Sequence, residues 1–182
     1  PAERLKAAWQ ATSPALRRAL RTAHRRITAF HKTQRLKGWT IREQGFGTIE
    51  ERVTPLERVA VYVPGGKAAY PSTVLMSILP ARIAGVSEIL LITPPTADGY
   101  PSQMTMAAAH LAGATRVLRV GGTPGIAAVA WGTESIPRVD KVVGPGNIYI
   151  ATAKKKLFGR FDIDSIAGPS EVLVLADRTA NL

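Results

Sequence analysis

Three polar side chains in this 182-residue sequence stand where backbone turns can present them to a small molecule. Tyr62 lies near the end of an apolar run, 58–63, and just ahead of Pro64-Gly65-Gly66, so it offers a ring and a hydroxyl beside a glycine turn. Asn147 follows Gly144-Pro145-Gly146 and can both donate and accept. The segment after it, 148–157, reads as a helix, which puts Asn147 near the N-cap. A helix N-terminus behind a Gly-rich turn suits an anion such as a pyrophosphate. Ser170 follows Gly168-Pro169, a turn that leaves its hydroxyl exposed, and Glu171 comes next, before the apolar run 172–176. Each of the three also has a plain structural reading: a core tyrosine, a helix cap and a turn residue. The glycines permit positive φ and close approach of another molecule, and the prolines pre-set turns.

Other chemistries are bounded by what the chain contains. With no cysteine, it has no disulfides, thiolate nucleophiles or thiolate metal ligands. A catalytic zinc takes about three protein ligands. His24 and His31, seven residues apart on one helix, and His110 on another offer no such cluster and read as surface or core residues. No G-x-G-x-x-G fingerprint and no Walker loop occurs, so pattern alone supports no standard Rossmann site.

The elements that must position these residues alternate. Residues 2–10 read as a short helix. Ser13-Pro14 fits an N-cap followed by proline at the first helical position, and a second helix is predicted from Pro14 to Leu36, stopped by Gly38. Residues 39–58 read as extended pieces broken by Gly45, Gly47 and Pro55. Beyond them, strands are predicted at 58–63, 88–93, 116–120 and 141–143, with helices at 73–84, 102–112 and 126–132 between them. Near-continuous apolar strands alternating with helices argue for a parallel sheet covered on both faces. Ligands of such sheets bind at the carboxyl ends of the strands, where the glycine turns fall. A last apolar strand is predicted at 172–176.

Apolar residues make up 46% of the chain, which excludes a disordered protein. The net charge of +11 is uneven: residues 1–40 hold ten Lys/Arg against the single acid Glu3. Leu16, Leu20, Ala23, Ile27 and Phe30 recur at helical spacing there, burying one face and leaving the arginines solvated. A basic helix that binds nucleic acid stays open as an alternative, although no aromatic is interleaved to stack bases. No apolar run reaches the length of a membrane span and no secretory pattern opens the sequence, so a cytoplasmic location is expected.

Val61-Tyr62-Val63-Pro64-Gly65-Gly66, Ser72-Thr73-Val74-Leu75-Met76, Pro80-Ala81-Arg82-Ile83-Ala84-Gly85-Val86, Gly132-Thr133-Glu134-Ser135-Ile136-Pro137, Val139-Asp140-Lys141, Gly144-Pro145-Gly146-Asn147 and Ala167-Gly168-Pro169-Ser170-Glu171-Val172-Leu173-Val174 carry a further signal. In order and spacing they resemble histidinol dehydrogenase. The resemblance extends over nearly the whole chain and is dense from about Glu57 to Asp177.

It implies an α/β fold with an incomplete Rossmann-like parallel sheet, aldehyde dehydrogenase-like, preceded by N-terminal helices. It divides the chain into 1–61, helices and part of an incomplete first domain; 62–171, the Rossmann-like domain; and 172–182, a strand returning to the first domain. It also implies a homodimeric, NAD-linked zinc enzyme that oxidises L-histidinol through L-histidinal to L-histidine. By position, Tyr62 and Asn147 match NAD-contacting residues and Ser170 a substrate-contacting serine. Pro124 stands where the family usually has a glutamine that contacts NAD, and it has neither a side-chain amide nor a backbone donor. The family's zinc ligands and its Glu-His acid/base pair lie further along than Leu182. The chain is therefore expected to be inactive alone, with no catalytic or metal-binding residue of its own. A relative oxidising another polar alcohol, such as a sulfonated propanediol, and a non-catalytic remnant that binds a nucleotide or partner are the alternatives.

Overall fold

The computed structural model describes residues 2–65, 68–168 and 171–180. Two helices open the chain, α1 (Ala2–Gln10) and α2 (Pro14–Lys32). A two-stranded antiparallel hairpin follows, β1 (Trp39–Glu43) and β2 (Gly47–Glu51). The remainder alternates: β3 (Arg58–Tyr62), α3 (Pro71–Ala84), β4 (Glu88–Ile92), α4 (Gln103–Ala112), β5 (Arg116–Leu118), α5 (Gly122–Trp131), β6 (Lys141–Val143), α6 (Ile148–Leu157) and β7 (Asp162–Ile163).

The second sheet has five parallel strands in the order β5-β4-β3-β6-β7. From β3 the chain builds outward through β4 and β5, then crosses back to lay β6 and β7 on the other side. The strand order therefore reverses between β3 and β6, the place where open α/β sheets take ligands. Both faces are covered, as the continuous apolar strands require. Val59, Val61, Ile89 and Leu91 point to one core with Leu75 and Ile78 of α3 and Ala108 of α4. The alternate residues Ala60, Tyr62, Leu90 and Ile92 point to the other, with Ile126 and Val129 of α5 and Ile150 of α6. Each fully buried aliphatic side chain contributes about 1.5–3 kcal/mol.

Helices α1 and α2 lie over α4 and α3, and their Leu5 and Leu20 join the first core. The guanidinium groups of Arg4 and Arg119 stand 3.9 and 4.7 Å from the centre of the Tyr100 ring, adding a second tie between α1 and the body. Ser13 caps α2 as expected, its Oγ accepting from Leu16 N–H. Helices α3 and α4 stop at Gly85 and Gly113, both left-handed.

Four expectations need correction. Helix α2 ends at Lys32, not Leu36. The Thr33 hydroxyl takes the Phe30 carbonyl, and Phe30 and Leu36 are 62% and 75% exposed, so nothing rewards further turns. Helix α5 starts at Gly122 rather than 126. Pro124 falls in its first turn, where a missing N–H costs nothing, and Gly125 packs so closely on Ile92 that a Cβ would stand 2.9 Å away. Strand β5 ends at Leu118, two residues early. Residues 172–176 form no strand. They have no hydrogen-bonding strand among the described residues, and Val172, Leu173, Val174 and Leu175 are 79–95% exposed. No described helix is long and apolar enough to cross a membrane.

Candidate functional site

The glycine turns converge on one edge of the five-stranded sheet, at the carboxyl ends of its strands. Pro94, just past β4, is wedged between two of them. A Cβ on Gly65 would lie 2.6 Å from its Cγ, and one on Gly121 would lie 2.7 Å from its Cβ. Across the switch point, Gly144 ends β6 with φ of 111°, and a Cβ there would meet the Tyr62 carbonyl oxygen at 2.1 Å. A Cβ on Gly146 would fall 2.4 Å from Ile150. Glycine is thus required by close packing at these four positions in three turns, whereas a Cβ on Gly168 would meet nothing within 4 Å. The sequence motifs mark a real edge: the tips of β3, β4, β5 and β6 pressed together.

Tyr62 ends β3 with its ring in the second core, only 6% exposed. The core reading is correct for the ring. The hydroxyl, however, accepts from Gly122 N–H at 3.4 Å and so holds the first residue of α5, filling one of the orphan donors of that helix. Asn147 is the N-cap of α6. Its Oδ1 accepts from the N–H groups of Tyr149 and Ile150, both at 3.1 Å. Both hydrogen bonds use the oxygen, which leaves the amide nitrogen of this exposed side chain without a partner among the described residues. Tyr62 therefore ends β3, and Asn147 follows the turn after the neighbouring strand β6, on the other side of the switch point. Ser170 lies outside the described residues. Pro124 is exposed in the first turn of α5, close to the same edge.

A cavity of about 530 Å³ opens beside the Gly144-Pro145-Gly146 corner, lined also by Ser77, Asp164 and Lys154. Lys154 is 5% exposed, and its ammonium donates to the Gly144 carbonyl at 3.1 Å and to Asp164 Oδ1. Asp164 Oδ2 accepts from Gly144 N–H at 2.8 Å, and its Oδ1 from Ser165 N–H at 2.9 Å. Burial pushes the Asp164 carboxyl up, but the hydrogen bonds from Lys154, Gly144 and Ser165 outweigh it and hold the group below the usual carboxylate value. Sequence reading passed over this pair. The available signal was spacing: Lys154 lies four residues after the buried Ile150, on the inward face of α6, while Lys155 and Lys156 are exposed.

The three histidines stay apart from this edge. His31 Nδ1 lies 2.6 Å from Gln34 Oε1, and the His110 ring is 6.4 Å from that of Trp9. Among the described residues, no group of three or more His, Cys, Asp or Glu could hold a metal ion. The edge instead brings together the N-termini of α5 and α6, partly capped by Tyr62 and Asn147, and close-packed glycine backbone. A helix N-terminus beside glycine backbone is the kind of place where proteins bind anions.

Comparison with known proteins fits this geometry. The sequence model of the histidinol dehydrogenase family matches residues 1–182. Histidinol dehydrogenase of Aquifex aeolicus is 54% identical over 181 residues, which are 100% of this chain and 41% of that protein. The enzyme of Methylococcus capsulatus is 51% identical over 177 residues, 97% of this chain and 40% of that protein. The crystal structure of histidinol dehydrogenase from Elizabethkingia anophelis superposes with a TM-score of 0.87 at 39% identity, over 98% of this chain and 42% of that one. The chain spans about 40% of the length of the curated relatives it matches.

Proposed function

This chain belongs to the histidinol dehydrogenase family, and on that premise we propose that it forms the NAD-receiving half of a dehydrogenase that oxidises L-histidinol, through L-histidinal, to L-histidine. The observation that carries the proposal is the meeting of the glycine corners at the strand-order reversal between β3 and β6. When bound, NAD would supply the hydride acceptor.

The residues of this chain have separate parts in that reading. Gly144 and Gly146 let the corner pack against Tyr62 and Ile150 and so set its course, and the N-terminus of α6 favours the negative pyrophosphate. Asn147 uses Oδ1 to cap the helix, and its amide nitrogen, without a partner among the described residues, would donate to the cofactor. Tyr62 holds the Gly121-Gly122 turn through its hydroxyl, so its contribution to NAD runs through the position of that turn as well as any direct contact. Ser170 is proposed to meet the substrate. Pro124 removes one donor from the pocket, which predicts weaker NAD binding than a glutamine there would give.

The family's zinc finds no ligand set among the described residues. We propose that the chemical steps fall to residues other than those named here. A homodimer, a cytoplasmic location and the division at 61/62 and 171/172, with the flanking pieces belonging to an incomplete neighbouring domain, belong to the same proposal.

Calorimetric titration of the chain with NAD tests it. Saturable binding that weakens in Tyr62→Phe and in Asn147→Asp supports the reading. Absence of binding at millimolar NAD refutes it. Without NAD-dependent histidinol oxidation by the same polypeptide, the chemistry is placed elsewhere; turnover with zinc and NAD would overturn that assignment.

A further inference from the structure

We propose that Lys154 and Asp164 are positioning residues of the ligand crevice, gripping both backbone polar groups of Gly144 and so fixing the corner that leads into Asn147. The inference rests on the NAD reading above and deepens it.

The geometry is specific. Lys154 reaches the carbonyl oxygen of Gly144 and Asp164 reaches its N–H, so one peptide-bearing residue is held from both sides. The two side chains also join each other, tying the end of β6, the middle of α6 and the residue just past β7 into one polar knot. Gly144 is the residue whose backbone touches Tyr62 across the switch point. Its orientation sets where Pro145 and Gly146 run, and thus where the N-terminus of α6 points.

The placement argues for geometry over bulk stability. A lysine that is 5% exposed carries a desolvation cost, and apolar replacements of such ion pairs are often no less stable. Lys141–Asp162 provides the contrast. It joins strand β6 directly to β7, and its side chains are 30% and 56% exposed. It touches no backbone group of the corner. One pair fastens the strands, and the other fastens the turn.

The test compares Lys154→Met with Lys141→Met in the otherwise unaltered chain. Amide exchange at Gly144 and Gly146 is read by NMR, and NAD affinity by titration. Lys154→Met should speed exchange at Gly144 about tenfold and weaken NAD about tenfold, with the amides of Ala60 and Leu91 unchanged. Lys141→Met should do neither. Unchanged exchange at Gly144 in Lys154→Met, or equal acceleration in Lys141→Met, overturns the proposal. If Lys154→Met does not fold, Asp164→Asn, which keeps the shape and an acceptor oxygen, takes its place with the same readouts. Loss of folding in both overturns the proposal, because the pair then serves the whole domain. If the unaltered chain binds no NAD, the cofactor reading falls, while the grip on Gly144 is judged by exchange alone.

Discussion

Gly144 lies so close to Tyr62 that a Cβ on the glycine would stand 2.1 Å from the tyrosine carbonyl oxygen. Backbone presses on backbone there, so neither residue can yield by rotating a side chain. The same glycine has φ of 111°, a conformation that L side chains adopt at a cost.

Gly144→Ala therefore combines two penalties, overpacking and backbone strain, and should destabilise the chain by about 3 kcal/mol. Gly159 separates them. Its φ is 96° and a Cβ there would meet nothing within 4 Å, so Gly159→Ala should cost only about 1 kcal/mol. Urea midpoints of the two variants check the difference. Equal losses would mean that the contact with Tyr62 is relieved by a small shift of β6.

The two duties of Asn147 can be divided by substitution. Asn147→Ala removes the cap of α6 and should cost about 1 kcal/mol. Asn147→Asp keeps an oxygen acceptor for Tyr149 and Ile150 and adds a charge that suits a helix N-terminus, so stability should hold. It removes the amide donor, and NAD affinity should drop. Thermal melts and NAD titrations run in parallel would show the split. A stable Asn147→Asp chain with undiminished affinity assigns the residue to capping alone.

Acid should weaken the fold through two carboxylates beside β6. Asp164 is held below its usual pKa by Lys154, Gly144 and Ser165 against the opposing effect of burial, and Asp162 by its hydrogen bonds to Lys141 and Ile163. A carboxylate depressed in the folded state contributes stability that is complete above its unfolded value, about 3.9, and is lost as pH falls through the folded value. Stability should thus be flat from neutrality to about pH 5 and decline below about pH 4. Asp164→Asn should lower stability at pH 7 and make the acid decline shallower. An acid decline as steep in Asp164→Asn as in the unaltered chain would remove this carboxylate from the account.

Much of this architecture is legible in the residues, and the exceptions share a cause. Continuous apolar runs such as 88–93 announce strands buried on both faces, and Asn147 announces the helix after it. The Gly-Thr-Pro-Gly opening of α5 reads as a turn because propensity sees the glycines and proline. The packing of Gly125 on Ile92 and the Tyr62 hydroxyl at Gly122 are tertiary facts. Strand β7 is two residues long and exists only through its pairing with Lys141 and Val142. Residues 172–176 have the composition of a strand, yet pairing, not composition, makes one. The Lys154–Asp164 knot escaped for a similar reason. One member sits in a run of three lysines that looks solvated, and its partner is ten residues away.

The hairpin of β1 and β2 has one more consequence. Every residue of both strands is exposed, and a lone two-stranded ribbon is marginally stable in water. It is also the covalent bridge between α2 and β3, whereas α1 and α2 are fastened to the body by Leu5, Leu20 and the arginines around Tyr100. A single protease cut within 39–51 should therefore yield two fragments that migrate together under native conditions and part only in denaturant.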